Sequence, residues 1–364
     1  MKVRELARIV ASIAPVELAE EWDNVGLIVG FPDNEVSGIA LCLDITPHSV
    51  TAAVQAGANV IVCHHPPIFG GIKRVVAGEP IADSIIEMAK AGISCIAAHT
   101  NLDFVLVSRA LAEKLGARVV GSLKSAASAR LLKFVVFVPH DHSERVRDAI
   151  CAAGAGNIGN YSDCTFALGG EGTFKGNDRT SPFIGQPGSR ERVGEDRIET
   201  VVPARQIDKI IAAARAAHPY EEMAFDVYPL ENRDPRYAMG VIGEYDPPID
   251  AARFLELAKE MLGVSRVECV AFKPEKKLKK VAFAGGAAFD CYQAARRSGC
   301  AAFVTGEAKY HELFNPAGAG YMVFIVGHGP SEAPALEALA AALRPECEGI
   351  ALSVIPPVFP SDSR

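Results

Sequence analysis

Short apolar runs alternate with amphipathic segments along the first third of the chain. Apolar runs at 39–43, 60–63 and 93–98, the last broken only by Ser94, predict strands covered on both faces. Amphipathic segments at 47–57 and 81–91 predict helices between these strands. This alternation is typical of an α/β fold with a largely parallel sheet.

The pattern changes at a run of serine and alanine, residues 125–129, which predicts a junction. The order that follows is strand, helix, glycine-rich stretch, strand, helix and strand, at 134–138, 143–153, 154–194, 198–203, 204–217 and 224–228. This is the order of a ferredoxin-like α+β unit.

Strand and helix alternate again after residue 240. Helices are predicted at 250–262, 288–299 and 334–343, and strands at 281–284, 301–304 and 321–326. We therefore expect residues 1–125 and 240–364 to be two halves of one α/β domain. Residues 126–239 form the segment inserted between them.

Polar residues of the kind that bind metals follow four of the predicted strands. His64 and His65 end the strand at 60–63, and Pro66 follows at once. The other three strand ends are His99-Thr100-Asn101-Leu102-Asp103, Thr305-Gly306-Glu307 and Gly327-His328-Gly329-Pro330-Ser331-Glu332. Ligands of open α/β sheets bind outside the carboxyl ends of strands, so the four ends would meet in one crevice if the strands are neighbours.

The best ligand candidates are His64, His65, Asp103, His328 and Glu332. Imidazole nitrogen and carboxylate oxygen suit zinc, manganese, iron or nickel. A catalytic zinc takes about three protein ligands, whereas five fit two metals about 3.5–4 Å apart that share one carboxylate. Adjacent residues point to opposite faces of a regular strand, so the two neighbouring histidines are expected to serve different metals. Any one histidine alone would be unremarkable; the five together predict a metal site.

Two further histidines are candidates for catalytic roles. His99, four residues before Asp103, is expected to support the ligands or act on substrate. His311 fits equally an acid or base near the metals and a histidine on a helix surface.

Two other motifs favour structural interpretations. Gly285-Gly286 lies between a strand and a helix, and a tight turn is favoured over a phosphate-binding loop. The His-Pro-Tyr-Glu-Glu run at 218–222 predicts a helix-to-strand turn rather than a metal or ligand site.

Composition narrows the class of protein. The chain has 364 residues, 49% hydrophobic and 22% charged, which favours two or three packed domains over disorder. A net charge of −7 argues against a broad nucleic-acid surface. The nine cysteines include no Cys-x-x-Cys pair and indicate a reducing compartment. The first 22 residues predict an amphipathic helix rather than a secretory signal, and no apolar run reaches the roughly 20 residues of a membrane span, so we expect a cytoplasmic protein.

With these motifs in place, the chain resembles the NIF-three-like family, often named GTP cyclohydrolase type 2 homologs. The resemblance covers nearly the whole length. It rests on Trp22-Asp23-Asn24-Val25-Gly26-Leu27, His64-His65-Pro66, His99-Thr100-Asn101-Leu102-Asp103, Thr305-Gly306-Glu307 with Tyr310-His311, and Gly327-His328 with Ser331-Glu332. The inserted segment is similar to the PII/CutA-like insertion of longer members, through residues 156–161 and 218–222.

The resemblance implies a dinuclear metal centre held by His64, His65, Asp103, His328 and Glu332 in a toroidal homohexamer, with the sites facing an internal cavity. We expect a metal-dependent hydrolase that acts on a small molecule, either a nucleotide such as GTP or a phosphoester. The resemblance also implies two divalent metal ions as cofactors, and we expect zinc first, with manganese, iron or nickel as the other candidates. His99 and His311 would orient ligands or carry protons. The alternative is a non-catalytic, hexameric regulatory protein that binds metal or a small effector.

Overall fold

The structure, a computed structural model, describes residues 1–359 and divides into two compact units. The first unit combines Met1–Ala126 with the chain from Pro235 onward, and the second is Ala127–Asp234. The last residues of the predicted segment 240–364, from 360 on, lie outside the described residues.

The helices of both units are numbered along the chain. They are α1 (Val3–Ile13), α2 (Pro47–Gln55), α3 (Pro80–Lys90), α4 (Thr100–Leu102), α5 (Ser108–Lys114), α6 (Ser143–Ala152), α7 (Ile207–Ala217), α8 (Ala251–Leu262), α9 (Tyr292–Arg297), α10 (Phe314–Ala319), α11 (His328–Glu332) and α12 (Pro334–Leu343). A π-helical turn, Asp103–Val107, joins α4 to α5. Short 3-10 helices are Val16–Leu18, His140–His142, Ala204–Gln206, Phe289–Cys291, Tyr310–Leu313 and Arg344–Glu346.

The first sheet of the first unit has five strands. In spatial order they are β1 (Gly26–Val29), β4 (Ser94–Ala97), β3 (Val60–Cys63), β2 (Gly38–Cys42) and β15 (Ala351–Val354). All neighbours are parallel except β1, which runs antiparallel to β4. The three inner strands are buried on both faces because α1 and α12 pack on one side and α2 and α3 on the other.

The second sheet of this unit has six strands. In spatial order they are β11 (Glu268–Val270), β14 (Met322–Ile325), β13 (Ala302–Thr305), β12 (Lys277–Ala284), β10 (Ala238–Asp250) and β5 (Arg118–Ser125). β12, β13 and β14 are parallel, and the remaining pairs are antiparallel. Residues of α5 and α8 pack on one face and residues of α9 on the other.

Each half of the first unit contributes one strand to the sheet of the other half. β5, from the first half of the chain, pairs with β10 in the second sheet. β15, from near the end of the chain, pairs with β2 in the first sheet, and α12 joins the core of that sheet. This exchange ties the two halves together by backbone hydrogen bonds as well as by packing.

The second unit has one antiparallel sheet with two helices on one face. In spatial order its strands are β7 (Thr165–Phe174), β8 (Glu191–Pro203), β6 (Arg130–Pro139) and β9 (Phe225–Arg233). Apolar residues of β6 and β8 pack against α6 and α7. The chain order and the strand order together are those of a ferredoxin-like unit.

The mixed α/β fold is confirmed, and three local predictions need correction. The amphipathic pattern over residues 1–22 forms a helix only to Ile13, because Pro15 disfavours helical backbone at the residue before it. β1, β5, β10, β11 and β15 were not predicted. β1, β11 and β15 are short, β5 is only partly buried, and Gly240 and Gly243 interrupt the apolar pattern of β10. The stretch 154–194 contains all of β7, whose glycines and exposed side chains hide the apolar alternation of a strand.

The chain leaves and re-enters the first unit at neighbouring positions, because Ser125 of β5 pairs with Ala238 of β10. Replacing residues 127–234 by a short Gly/Ser linker should therefore leave a folded protein that retains the metal binding of the full chain. Metal titration and circular dichroism of both proteins test this. Loss of metal binding from the well-folded shortened protein would contradict it.

Candidate metal centre

The predicted ligands follow strands of both sheets in the first unit. His64 and His65 directly follow β3, and Asp103 follows the short helix α4 after β4. His328 and Glu332 lie at the two ends of α11, which begins after β14 and Gly327. The strands are neighbours in pairs, β3 with β4 and β13 with β14, rather than all in one sheet as the sequence argument required. The ligand candidates nevertheless come together, because the carboxyl ends of the two pairs meet.

Four imidazoles in this cluster share one pattern of contacts. Each Nδ1 contacts an oxygen atom of the protein, which leaves Nε2 for a ligand. The four pairs, with N–O distances of 2.9, 2.8, 2.9 and 3.2 Å, are His64 with the Ala98 carbonyl, His65 with Asp44, His99 with Asp23, and His328 with Glu307. A carbonyl can only accept, so Nδ1 of His64 carries hydrogen, and the ring presents a lone pair at Nε2 once that nitrogen loses its proton.

Glu332 lies at the centre of the cluster, with its side chain 3% exposed. Its Oε1 is 3.0 Å from Nε2 of His328 and 3.6 Å from Nε2 of His64. Its Oε2 is 3.2 Å from Nε2 of His65. Asp103 Oδ1 lies 3.5 Å from Nε2 of His64. One carboxylate therefore faces three imidazoles at once.

Several ligand-type atoms in the cluster are buried without a hydrogen bond, which is unusual in native proteins. Within residues 1–359 they include Nε2 of His64, Oδ1 of Asp103 and Oε2 of Glu332. The close approach of His65 to Oε2 does not have hydrogen-bond geometry. These atoms are the donors that a divalent metal ion requires, so the residues present fit such an ion.

Three overlapping sets of side chains place one ligand atom each within 4.8 Å of one another. One set is His64, Asp103 and Glu332, and another is His65, His328 and Glu332. The third is His64, His65 and His99. All five predicted ligands and His99 are thus able to contribute to holding metal.

The charges of the cluster are tightly interdependent. Burial disfavours a charged Glu332, but His64, His328 and His65 hold the pKa of this carboxyl well below its usual range. Burial raises the pKa of Asp103 to about 6. Burial also opposes protonation of His65, yet Asp44 and Glu332 outweigh it and raise its pKa to about 10. Protons therefore compensate the buried carboxylates, and a divalent cation would displace them on binding.

Gly285-Gly286 forms a tight turn beside the cluster. Gly286 has a φ of +64° and donates its N–H to Ser331 Oγ at 2.8 Å. A Cβ at this position would overlap Oε1 of Glu332. The Gly285 N–H has a hydroxyl partner too, Ser108 Oγ, so the turn interpretation is supported over a phosphate loop.

The two predicted catalytic histidines lie in different environments. His99 is half-buried against the cluster, with its ring centroid 5.2 Å from that of His64. His311 lies on the exposed 3-10 helix Tyr310–Leu313. Among residues 1–359, no described contact joins His311 to the cluster, and its acid or base role stays a prediction.

The acids that orient the imidazoles were not predicted in that role from the sequence. Asp44 lies two residues after β2 and Glu307 two residues after β13, so both had the signal of an acid beyond a strand end. Asp23 was noticed only as part of a motif, because 76 residues separate it from His99. Burial opposes its ionisation, but hydrogen bonds from His99 and Thr100 lower the pKa of Asp23 to about 2.

Two exposed aromatic side chains border His99. Trp22 is 62% exposed and Phe69 is 49% exposed. Their ring centroids lie 6.1 and 5.3 Å from that of His99, each with its ring steeply inclined to the imidazole. The cluster is therefore bordered by large apolar ring surfaces that the protein does not cover.

Comparison with known proteins identifies the family. Residues 1–358 match the Duf34/NIF3 family (NGG1p interacting factor 3), and the chain belongs to it. A Halalkalibacterium halodurans protein named GTP cyclohydrolase 1 type 2 homolog is 36% identical over 317 residues, 86% of this chain and 85% of its own. A Mycobacterium tuberculosis protein of the same name is 37% identical over 325 residues, 88% of this chain and 85% of its own.

A solved structure described as a Bacillus cereus protein related to NIF3 matches with a TM-score of 0.83 and 34% identity, covering 99% of each chain. A Staphylococcus aureus protein matches with a TM-score of 0.76 and 26% identity, covering 99% of this chain and 97% of its own. Among residues 1–359, no helix combines the length and apolar character that a membrane span requires.

Asp44 accepts from His65 Nδ1 and should therefore influence metal binding without being a ligand. Asp44→Asn weakens this support and should lower metal affinity about 10- to 100-fold, the usual cost of losing such a partner. Calorimetric titration with zinc measures the effect. Asp33→Asn, an exposed acid paired with Arg4, is the control. Equal affinity in both variants would contradict the role of Asp44.

Proposed function

We propose that the cluster binds two divalent metal ions and that the protein is a metal-dependent hydrolase acting on a nucleotide or another phosphoester. The observation that carries the proposal is the position of Glu332 in two of the three-residue sets. His64 and Asp103 would hold one ion and His65 and His328 the other, with the Glu332 carboxylate shared. Three protein ligands for each ion leave room for water and substrate.

Paired divalent ions supply an activated water and stabilise negative charge that develops on the substrate. The protein's own residues would prepare that chemistry. His99 is fixed by Asp23 at Nδ1, so its Nε2 faces the reaction and would take or return a proton. His311 is proposed as a second proton carrier.

The two exposed aromatic rings beside the cluster support a substrate with a planar ring. Trp22 and Phe69 offer exposed ring faces beside His99, and aromatic faces stack on nucleobases. The name shared by the relatives, GTP cyclohydrolase 1 type 2 homolog, agrees with a guanine nucleotide as one candidate. Zinc is the first metal to test, because the donors are imidazole and carboxylate; manganese, iron and nickel follow.

The proposal includes assembly and location. Membership in the family supports a homohexamer, and the ferredoxin-like topology of the second unit supports its PII/CutA-like character. All nine cysteines are free thiols, which supports the reducing environment of the cytoplasm.

The test is full-length protein loaded with each metal in turn and assayed with GTP and general phosphoesters, with product identified by mass spectrometry. Hydrolysis should require metal and be lost in Glu332→Gln. Trp22→Ala should raise KM for a nucleotide about 5- to 150-fold, since base stacking contributes about 1–3 kcal/mol.

Phe166→Ala, which removes an equally exposed ring from the second unit, is the matched control for Trp22→Ala and should leave KM unchanged. Absence of turnover with every substrate while both metals are bound would contradict the proposal that the protein is a hydrolase. That result would favour a protein that binds metal or an effector without catalysis.

A further inference from the structure

The second unit has a cavity of its own, of about 300 Å³. Its walls come from the end of β7, the loop between β7 and β8, and the turn that follows α7. Its size is at the small end of ligand pockets, which range over roughly 300–1,000 Å³.

Three aromatic rings form one side of this cavity. Tyr220 lies in the middle, with its ring centroid 5.9 Å from that of Phe174 and 6.2 Å from that of Phe183. The rings of Phe174 and Phe183 are inclined to that of Tyr220 by 60° and 49°, so the three rings do not form a parallel stack. Parallel rings would form a slot for a flat molecule, whereas inclined rings suit a compact, rounded one.

Tyr220 is held by the His-Pro-Tyr-Glu-Glu run at 218–222. His218 is buried, its Nε2 donates to the Phe137 carbonyl at 2.9 Å, and its Nδ1 accepts from the Tyr220 N–H at 3.1 Å. The Tyr220 hydroxyl donates to Glu195 Oε1 at 2.9 Å. The motif is a turn, as predicted, and this turn fixes an aromatic ring in a cavity wall.

The residues that line this cavity carry a net negative charge. Within residues 1–359, Glu195 has no ion-pair partner, and its only hydrogen bond is from the neutral Tyr220 hydroxyl. Glu221, which accepts from the Ser181 N–H at 3.0 Å, and Glu222 also line the cavity. Lys175 is the one cationic residue of the lining, so three carboxylates face one ammonium group.

Glycine on β7 makes room for the Glu195 side chain. A Cβ on Gly172 of β7 would overlap the Glu195 carboxylate, so glycine here lets the carboxylate lie against the strand beside the cavity. Aromatic faces and an unpaired carboxylate are the two features that bind organic cations, through cation–π attraction and ion pairing. A bare metal ion would find too few converging oxygen ligands among these rings.

We propose that this cavity binds a small organic cation of the alkylammonium class, with its charged head against Phe174, Phe183, Tyr220 and Glu195. The cavity shares no residue with the metal centre, and the proposal does not depend on the hydrolase activity. The charged group of an alkylammonium ligand would lose water when it enters the cavity. The carboxylates and the ring faces would compensate for that loss.

The experiment uses the full chain and two probes of nearly equal shape, choline and its neutral analogue 3,3-dimethylbutan-1-ol. Ligand-observed NMR and calorimetry should show saturable binding of choline. The neutral analogue should bind about 2- to 30-fold more weakly, the range that a cation–π contact of roughly 0.5–2 kcal/mol gives.

Two variants and two matched controls locate the site. Glu195→Gln keeps an acceptor for Tyr220 and removes the charge, and Phe183→Leu removes a ring that is 54% exposed, so both should fold. Each should weaken choline binding several-fold. Glu171→Gln and Phe166→Leu make the same changes on β7 outside the cavity and should leave binding unchanged.

Three results would overturn the proposal. One is equal binding of choline and its neutral analogue. Another is unchanged choline binding in Glu195→Gln and Phe183→Leu when circular dichroism shows both folded. The third is absence of saturable binding for choline, tetramethylammonium and butylammonium alike.

Discussion

The contact of one buried carboxylate, Glu332, with three imidazoles is the interaction on which the candidate site depends. A carboxylate that is 3% exposed is costly to bury unless positive charge surrounds it. His64, His65 and His328 supply that charge as protonated rings, and divalent ions would supply it more compactly. The fixed Nδ1 contacts leave the imidazoles little freedom to turn away, so the arrangement is set before any ion arrives.

The architecture of the first unit explains how the residues of this contact meet. His65 follows a strand of the five-stranded sheet, whereas His328 and Glu332 follow a strand of the six-stranded sheet. The exchange of β5 and β15 between the halves holds the two sheets together by main-chain hydrogen bonds. Gly286, which has no side chain, then lets Glu332 lie against the turn after β12. Packing and backbone pairing thus hold the carboxyl ends of β3 and β14 at a fixed distance from each other.

Much of this was accessible from the sequence, for physical reasons. Apolar runs such as 60–63 predict buried strands because parallel strands covered on both faces have no polar side, and polar residues beyond their ends mark where ligands gather. The sequence does not show pairing across long separations, so β15 was missed although it completes the first sheet. Asp44 and Asp23 were missed as supports of His65 and His99, because an acid shows its partner only in the folded chain.

The most direct test of the central claim is anomalous diffraction at the zinc edge from crystals of the zinc-loaded protein. We predict two peaks about 3.5–4 Å apart with one Glu332 oxygen bound to each, the separation expected of a shared carboxylate in a two-metal site. A single peak that does not contact Glu332, or no peak among His64, His65 and His328, would contradict the account.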